Sequence, residues 1–435
     1  MTKKFLSYAL PSALAMFISS LYTVIDGIFV GQGVGDLALA AVNVVIPLTI
    51  MLFGMATMFA VGGGALISKN FGSKDIENAN LMFHQVFKFL LIISVLISIT
   101  FVIFAGPIVK GLGATPDLYE PAKTYLRFYS LFCIPNIIGI ALNSFIRNDG
   151  NPKLAMIATF SGAITNIVLD YLFIFPLQLG LFGAAMATGL GQVVTVCIIL
   201  IHFIRRQGQL RFGNVKLDFQ IIKEFSSIGF PSFFAEAAFS IIIYLTNIAL
   251  VKTVGEMGMT TYSIINYLTT PIYLFLLGLA FGAQPLISYH FGAKEQKPMM
   301  KYYHMTNQTN YLINFIFMAI CYFFGRPIIS IFTQDPTIIE MAYVGLNIVN
   351  AAFIIIGLNL NTTIYYQAIE TPKYSNIICA CRSIIFLPIV LFMLTNLFGL
   401  YGIWSALLVS EFLTYLCFLI FTNINQITRQ AISLS

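Results

Sequence analysis

Twelve apolar stretches, each long enough to cross the hydrocarbon core of a bilayer, divide this 435-residue chain. They run at about 5–31, 37–68, 81–106, 119–144, 153–176 and 181–204, then at about 225–251, 257–288, 302–325, 338–365, 375–397 and 400–421. A peptide group in lipid must find its hydrogen-bond partner inside the protein, which leaves helices or closed barrels. Uninterrupted runs of this length exclude the short alternating pattern of barrel strands. The expected fold is therefore all-α and polytopic, with twelve transmembrane helices. Composition agrees: with 58% hydrophobic and 9% charged residues, there is too little charge to cover a water-soluble surface of this size. The net charge of +6 does not point to nucleic acid, because the Lys and Arg sit between apolar runs rather than among aromatics. Cys133, Cys197, Cys321, Cys379, Cys381 and Cys417 all lie in apolar segments without metal-ligand spacing, and read as small buried hydrophobes. Lys3-Lys4 resembles the start of a signal peptide. The apolar run continues to Asp26 without a cleavage site, so a retained first span is expected.

Loop charge sets the expected orientation. Lys3, Lys4, Lys69, Lys74, Arg147, Lys153, Arg205, Arg206, Arg211, Lys216, Lys223, Lys294, Lys297, Lys301, Lys373 and Arg429 flank one set of helix ends, while the other set carries chiefly Lys110, Lys252 and Arg326. The positive-inside rule makes the basic ends, and with them both termini, cytoplasmic in a plasma or inner membrane.

The chain also repeats. A shift of 220 residues lays Pro11-Ser12 on Pro231-Ser232, Ser20 on Ser240, Leu66-Ile67-Ser68 on Leu286-Ile287-Ser288, and Pro152-Lys153 on Pro372-Lys373. Each copy holds six spans, so the copies share one orientation and are related by a pseudo-twofold axis along the membrane normal. The expected organisation is a first lobe over 1–206, a polar cytoplasmic linker over 207–222 and a second lobe over 223–435, facing each other across a cavity.

Carboxylates inside spans need a partner or a function, since each costs roughly 3 kcal/mol or more at the bilayer centre. Asp26, Asp170, Glu236 and Glu411 qualify, whereas Arg127 and Arg382 read as close enough to helix ends to snorkel. Helical rise puts Asp26, Asp170 and Thr188 in one layer, about five to seven residues from the outer ends of their spans. Asn43 reaches the same depth, and Asn166 stands one turn from Asp170 on the same face. Two acids close together in a low dielectric do not both ionise cheaply, so this layer holds a proton or attracts a cation. Thr246 replaces Asp26 in the second copy, which makes the lobes chemically unequal. Pro11, below Asp26, reads as a hinge or a static kink, and Gly62, Gly63 and Gly64 read as close packing rather than a break.

These residues resemble the multidrug and toxic compound extrusion (MATE) family of bacterial and archaeal transporters over essentially the full length. The likeness rests on the duplicated layout, on Asp26-Gly27-Ile28-Phe29-Val30-Gly31, on Phe145-Ile146-Arg147 with Gly150-Asn151-Pro152-Lys153, and on Asn166-Ile167-Val168-Leu169-Asp170 followed by Thr188. It implies that Asp26, Asn166, Asp170 and Thr188 form a first-lobe site for a proton or sodium ion, and that Pro11 is the first-span bend. Glu236 looks like the second-lobe acid of the NorM branch. Asn359 and Asn361 stand where that branch has an acidic partner, so the chain is closer to a DinF/MepA-like member. Glu236 and Glu411 then either meet a cationic substrate or pair structurally.

The expected function is secondary antiport: export of amphipathic organic cations in exchange for H+ or Na+, by a monomer contacting membrane lipids and holding no cofactor or structural metal. A lipid-linked oligosaccharide flippase of the same superfamily is the alternative, although its pyrophosphate cargo calls for a cationic cavity and the intramembrane charges here are mainly acidic. An intramembrane enzyme finds no support, since no Gly-x-Gly-Asp or His-Glu-x-x-His motif is present. A primary pump would need a phosphate loop, and no Gly-Lys dipeptide occurs. The loop charges predict that a cysteine placed at Gly213 is shielded from an impermeant thiol reagent added outside intact cells; labelling from outside would invert the topology.

Overall fold

The computed structural model describes residues 1–213 and 215–433, without the side chains of Asp36, Phe239, Ser240 and Glu256 or those of residues 423–433, among them Arg429. It contains no strand among the described residues. Eleven long apolar helices serve as spans: Thr2–Gly33, Asp36–Gly72, Ile76–Ile103, Pro152–Ile174, Gly180–Ile204, Phe219–Val254, Glu256–Gly292, Gln296–Ile329, Pro336–Ala368, Pro372–Phe398 and Leu400–Ser433. The twelfth, fourth in chain order, is a pair, Pro116–Leu131 and Cys133–Asn148, bent by 52°. Pro135 accounts for the break: its ring displaces the carbonyl one turn back, at Leu131, where the first half stops.

Helix starts follow local chemistry. Asp75, Asn151, Asp218 and Asp335 accept from backbone N–H groups of the first turns they precede. Proline at the first position of Pro152–Ile174, Pro336–Ala368 and Pro372–Ala380 supplies a ready helical φ. The eleventh span contains a π-helical turn at Cys381–Ile385. Phe315, Phe323, Phe392 and Leu397 remain exposed, as side chains wetted by lipid tails would be.

The seventh helix starts at Phe219, inside the segment expected as linker. What precedes it is tied down. Asp149 accepts from the Gln209 and Leu210 amides and pairs with the buried His202; Asn80 accepts from the Arg211 amide, and Gln85 and Lys88 donate to the Lys216 and Val215 carbonyls.

Two buried apolar clusters divide the spans, but each first helix of a repeat crosses between them. Phe5, Ala9 and Ala13 of the first span belong to the second lobe's cluster, while Val30 belongs to the first. Conversely Ile222, Phe225 and Ile228 of the seventh span pack in the first lobe's cluster, and Leu250 in the second. Pro11 and Pro231, 220 residues apart, lie inside these two helices, Pro11 between Ala9 and Ala13 in the segment that packs on the second lobe. The first helix runs unbroken through Pro11.

The lobes meet on the linker side through backbone rather than long side chains. A methyl group on Gly72 would stand 1.8 Å from the Tyr289 carbonyl oxygen, and one on Gly292 1.9 Å from that of Lys69, so the two contacts are related by the same 220-residue shift. Gly62 faces the Phe225 carbonyl, Gly229 that of Met58, and Gly278 and Gly282 lie on Ser12, Ala13 and Ala9. Gly62, Gly63 and Gly64 are helical and tightly packed. A Lys69–Glu370 ion pair at 2.7 Å and the Gln284 amide on the Val61 carbonyl complete the seal. Gly72→Val or Gly292→Val is expected to destabilise this arrangement by about 1–3 kcal/mol through overpacking. It should also lengthen the distance between spin labels at Ser73 and Lys294; an unchanged distance distribution would show that the glycine contacts do not hold the lobes together.

Candidate functional site

Packing of the first, fifth and sixth spans places the first-lobe residues together. The fifth and sixth cross where neither has a side chain: a methyl group on Gly162 would stand 2.7 Å from the Gly191 carbonyl oxygen, and one on Gly191 2.8 Å from that of Gly162 and 3.1 Å from Asn166 Cβ. This approach brings Thr188 toward Asn166. The Asn166 amide donates to Asp170 Oδ2 at 2.8 Å and reaches Thr188 Oγ1 at 3.5 Å. Asp170 is fully buried. Asp26, half-buried on the first span, lies close enough to Asp170 for the two carboxyl groups to interact.

Three buried oxygens here, Asp26 Oδ1, Asp170 Oδ1 and Asn166 Oδ1, receive no hydrogen bond from the protein. Unsatisfied buried acceptors are costly. Three of them, two on carboxyl groups, make a donor set suited to a proton or a hard cation that prefers oxygen. Among the described residues no Lys or Arg pairs with either acid.

The structure adds residues that the sequence reading missed. Tyr22 lies one turn before Asp26, close to Gln192 and close enough to Asp26 to interact electrostatically. Tyr125 of the fourth span lies near both acids and stacks on Tyr129, which accepts from Asn136 at 2.8 Å. The i, i+4 spacing of Tyr22 with Asp26 and of Tyr125 with Tyr129 was the available signal. Asn43, in contrast, is exposed and makes no side-chain hydrogen bond among the described residues. It stands outside the cluster.

The second lobe is built differently. Arg382, read from the sequence as a snorkelling residue, is buried within the π-helical turn and bonds Glu411 Oε1 through Nε at 2.9 Å and Nη2 at 2.6 Å. The Asn359 amide donates to Glu411 Oε2 at 2.7 Å. Glu411 is 1% exposed and both its oxygens are taken, so it offers cargo no free acceptor. Glu236 is half-buried on the seventh span, with its Cβ 3.1 Å from the methyl position of Gly54 on the second span, at the boundary between lobes.

A family model described as MatE matches residues 11–172 and again 231–392, two equal stretches offset by 220. Multidrug export protein MepA of Staphylococcus saprophyticus is 26% identical over 411 residues, covering 94% of this chain and 90% of that protein. The MepA of Staphylococcus haemolyticus is 26% identical over 436 residues, covering 99% and 96%. Among solved structures, an outward-facing multidrug resistance MATE family transporter of the MOP superfamily superposes with a TM-score of 0.92 at 22% identity, over 97% of this chain and 95% of that one. A MATE crystallised with MaD3S superposes with a TM-score of 0.91 at 23% identity and the same coverage. Two matched copies, a two-lobed helical fold and full-length relatives converge: the chain is a multi-pass membrane transporter, not an enzyme, and belongs to the MatE family.

Proposed function

We propose that this transporter exports amphipathic organic cations across a plasma or inner membrane, driven by inward movement of H+ or Na+ through the Asp26–Asp170 site. The observation that carries the reading is the buried acid pair, with its unsatisfied oxygens and no basic partner among the described residues. A bound cation removes the repulsion between the two carboxyls and allows the first and fifth spans to close on each other; its release restores that repulsion. Antiport follows when only one ligand at a time stabilises the transition between states. The sealed linker side gives the starting state, with the opposite side facing outward if the linker is cytoplasmic. The names of the MepA relatives support drugs as cargo.

Glu236 is the acid placed to meet positive cargo, since it stands between the lobes and Glu411 is spent on Arg382. The flippase alternative loses its main requirement, because the buried guanidinium in the second lobe is already neutralised.

The decisive assay is efflux of a fluorescent cation from proteoliposomes, with H+ and Na+ gradients imposed separately. Asp26→Asn and Asp170→Asn should each lower gradient-driven efflux more than tenfold while leaving the protein folded, since charge is removed at nearly constant size. Wild-type efflux in both variants would remove the pair from coupling. Glu236→Gln should weaken export of monovalent cations more than that of neutral compounds; equal loss for both cargo types would show that the carboxylate does not contact cargo.

A further inference from the structure

The 220-residue shift that relates the lobes carries Gly162 onto Arg382 and Gly191 onto Glu411. Both pairs are in contact. Where the first lobe crosses two helices backbone to backbone, the second inserts a guanidinium and a carboxylate into the same crossing, with a π-helical turn on the strand of chain that carries the arginine. The shift also places Thr246, Phe386 and Val390 where the first lobe has Asp26, Asn166 and Asp170. The Thr246 hydroxyl is engaged with the Ile242 carbonyl at 2.9 Å, and Val390 is buried among apolar side chains. The acceptors of the first lobe are therefore absent from the matching layer.

What replaces them lies deeper. A cavity of about 80 Å³ opens in the second lobe, walled by Thr246, Tyr262, Asn266, Tyr273, Arg382 and Trp404 among others. That is room for several waters, since one needs about 10–15 Å³ by the same measure. The charged and titratable groups that face the Arg382 head are Glu411 of the twelfth span, Tyr273 of the eighth, Cys379 one turn away and, electrostatically, Glu236 of the seventh.

We propose that Arg382 is a tethered counter-ion, filling in the second lobe a latent site for a monovalent inorganic cation equivalent to the one that the first lobe leaves to solution. A carboxylate this deep needs a positive partner, and breaking such a pair is far costlier than keeping it. In the first lobe that partner comes and goes, so a gradient acts through it. In the second it is covalently attached and stays charged, because a guanidinium does not deprotonate in proteins. Neutralisation of Glu411 is thus independent of any ion gradient, and Arg382 confines coupling to one lobe. The inference rests on the Asp26–Asp170 coupling reading for its contrast between lobes, but its test stands apart from that reading.

The test counts cations bound by purified protein in nanodiscs, by radiolabelled sodium binding and by proton uptake in sodium-free medium, within the Asp26→Asn/Asp170→Asn background. Adding Arg382→Gln should raise the count by one, in whichever of the two measurements reports the ion that the site accepts. Adding Arg382→Gln with Glu411→Gln should return the count to that of the background, because no charge is then left unpaired at that position. Thermal stability supplies a second readout. The Arg382→Gln protein should be destabilised in choline chloride at neutral pH and restored by sodium chloride or by acid, and Arg382→Lys should need neither. An unchanged cation count with Arg382→Gln, or a loss of folding that neither sodium nor acid restores, would overturn the proposal. If the background variant instead binds as many cations as wild type, the first-lobe coupling reading fails while the Arg382 increment still decides this one.

Discussion

Inside a bilayer a peptide group has no water to turn to, and nearly everything described above descends from that constraint. It fixes the backbone as helix and leaves sequence variation few ways to matter. One is how closely two helices approach, which the glycines at 62, 72, 229, 278, 282 and 292 set between the lobes. The other is where polar atoms are tolerated. Each buried acid must be neutralised, and the two lobes differ in how: Asp26 and Asp170 have no basic partner among the described residues, while Glu411 has Arg382 and Asn359.

The part of the structure written in hydropathy was legible. All twelve spans fall where the apolar runs lie, and the 220-residue repeat reappears both in the family match and in the mirrored contacts of Gly72 and Gly292. Helix ends were less so. The ninth helix begins at Gln296 and carries Lys297 and Lys301 before its apolar run starts, because hydropathy records contact with lipid whereas helicity continues into water. Where a capping side chain is present, as at Asp75, Asn151, Asp218 and Asp335, it marks the start that apolarity misses.

The candidate site was legible to the extent that it is one-dimensional. Asn166 and Asp170 share a face because they are one turn apart, and both belong to a layer that depth along the helix predicts. Asn43 shares the layer but not the cluster, since depth fixes height and says nothing about which way a side chain points round its helix. Arg382 stands about ten residues from the start of its helix and Glu411 about ten from the start of the antiparallel one that follows, so the sequence identifies them as a pair only once the eleventh and twelfth spans are known to pack. Tyr125 and Tyr129 were hidden for another reason. In a chain with 21 Tyr and 41 Phe, aromatic rings are too common to mark a place.

The exchanged arms bear on how the molecule is made. Ala9 and Ala13 lie against Gly282 and Gly278 of the eighth span, some 270 positions later, and the segment Ile222–Ile228 packs in the lobe already synthesised. A ribosome delivering the chain from its amino terminus therefore releases a first lobe whose opening helix is still half unpartnered, and it remains so until the second repeat is well under way. The two halves are separable as repeats of sequence yet interlocked as products of translation. Neither half, produced alone, contains the surface against which the opening segment of its own first helix packs.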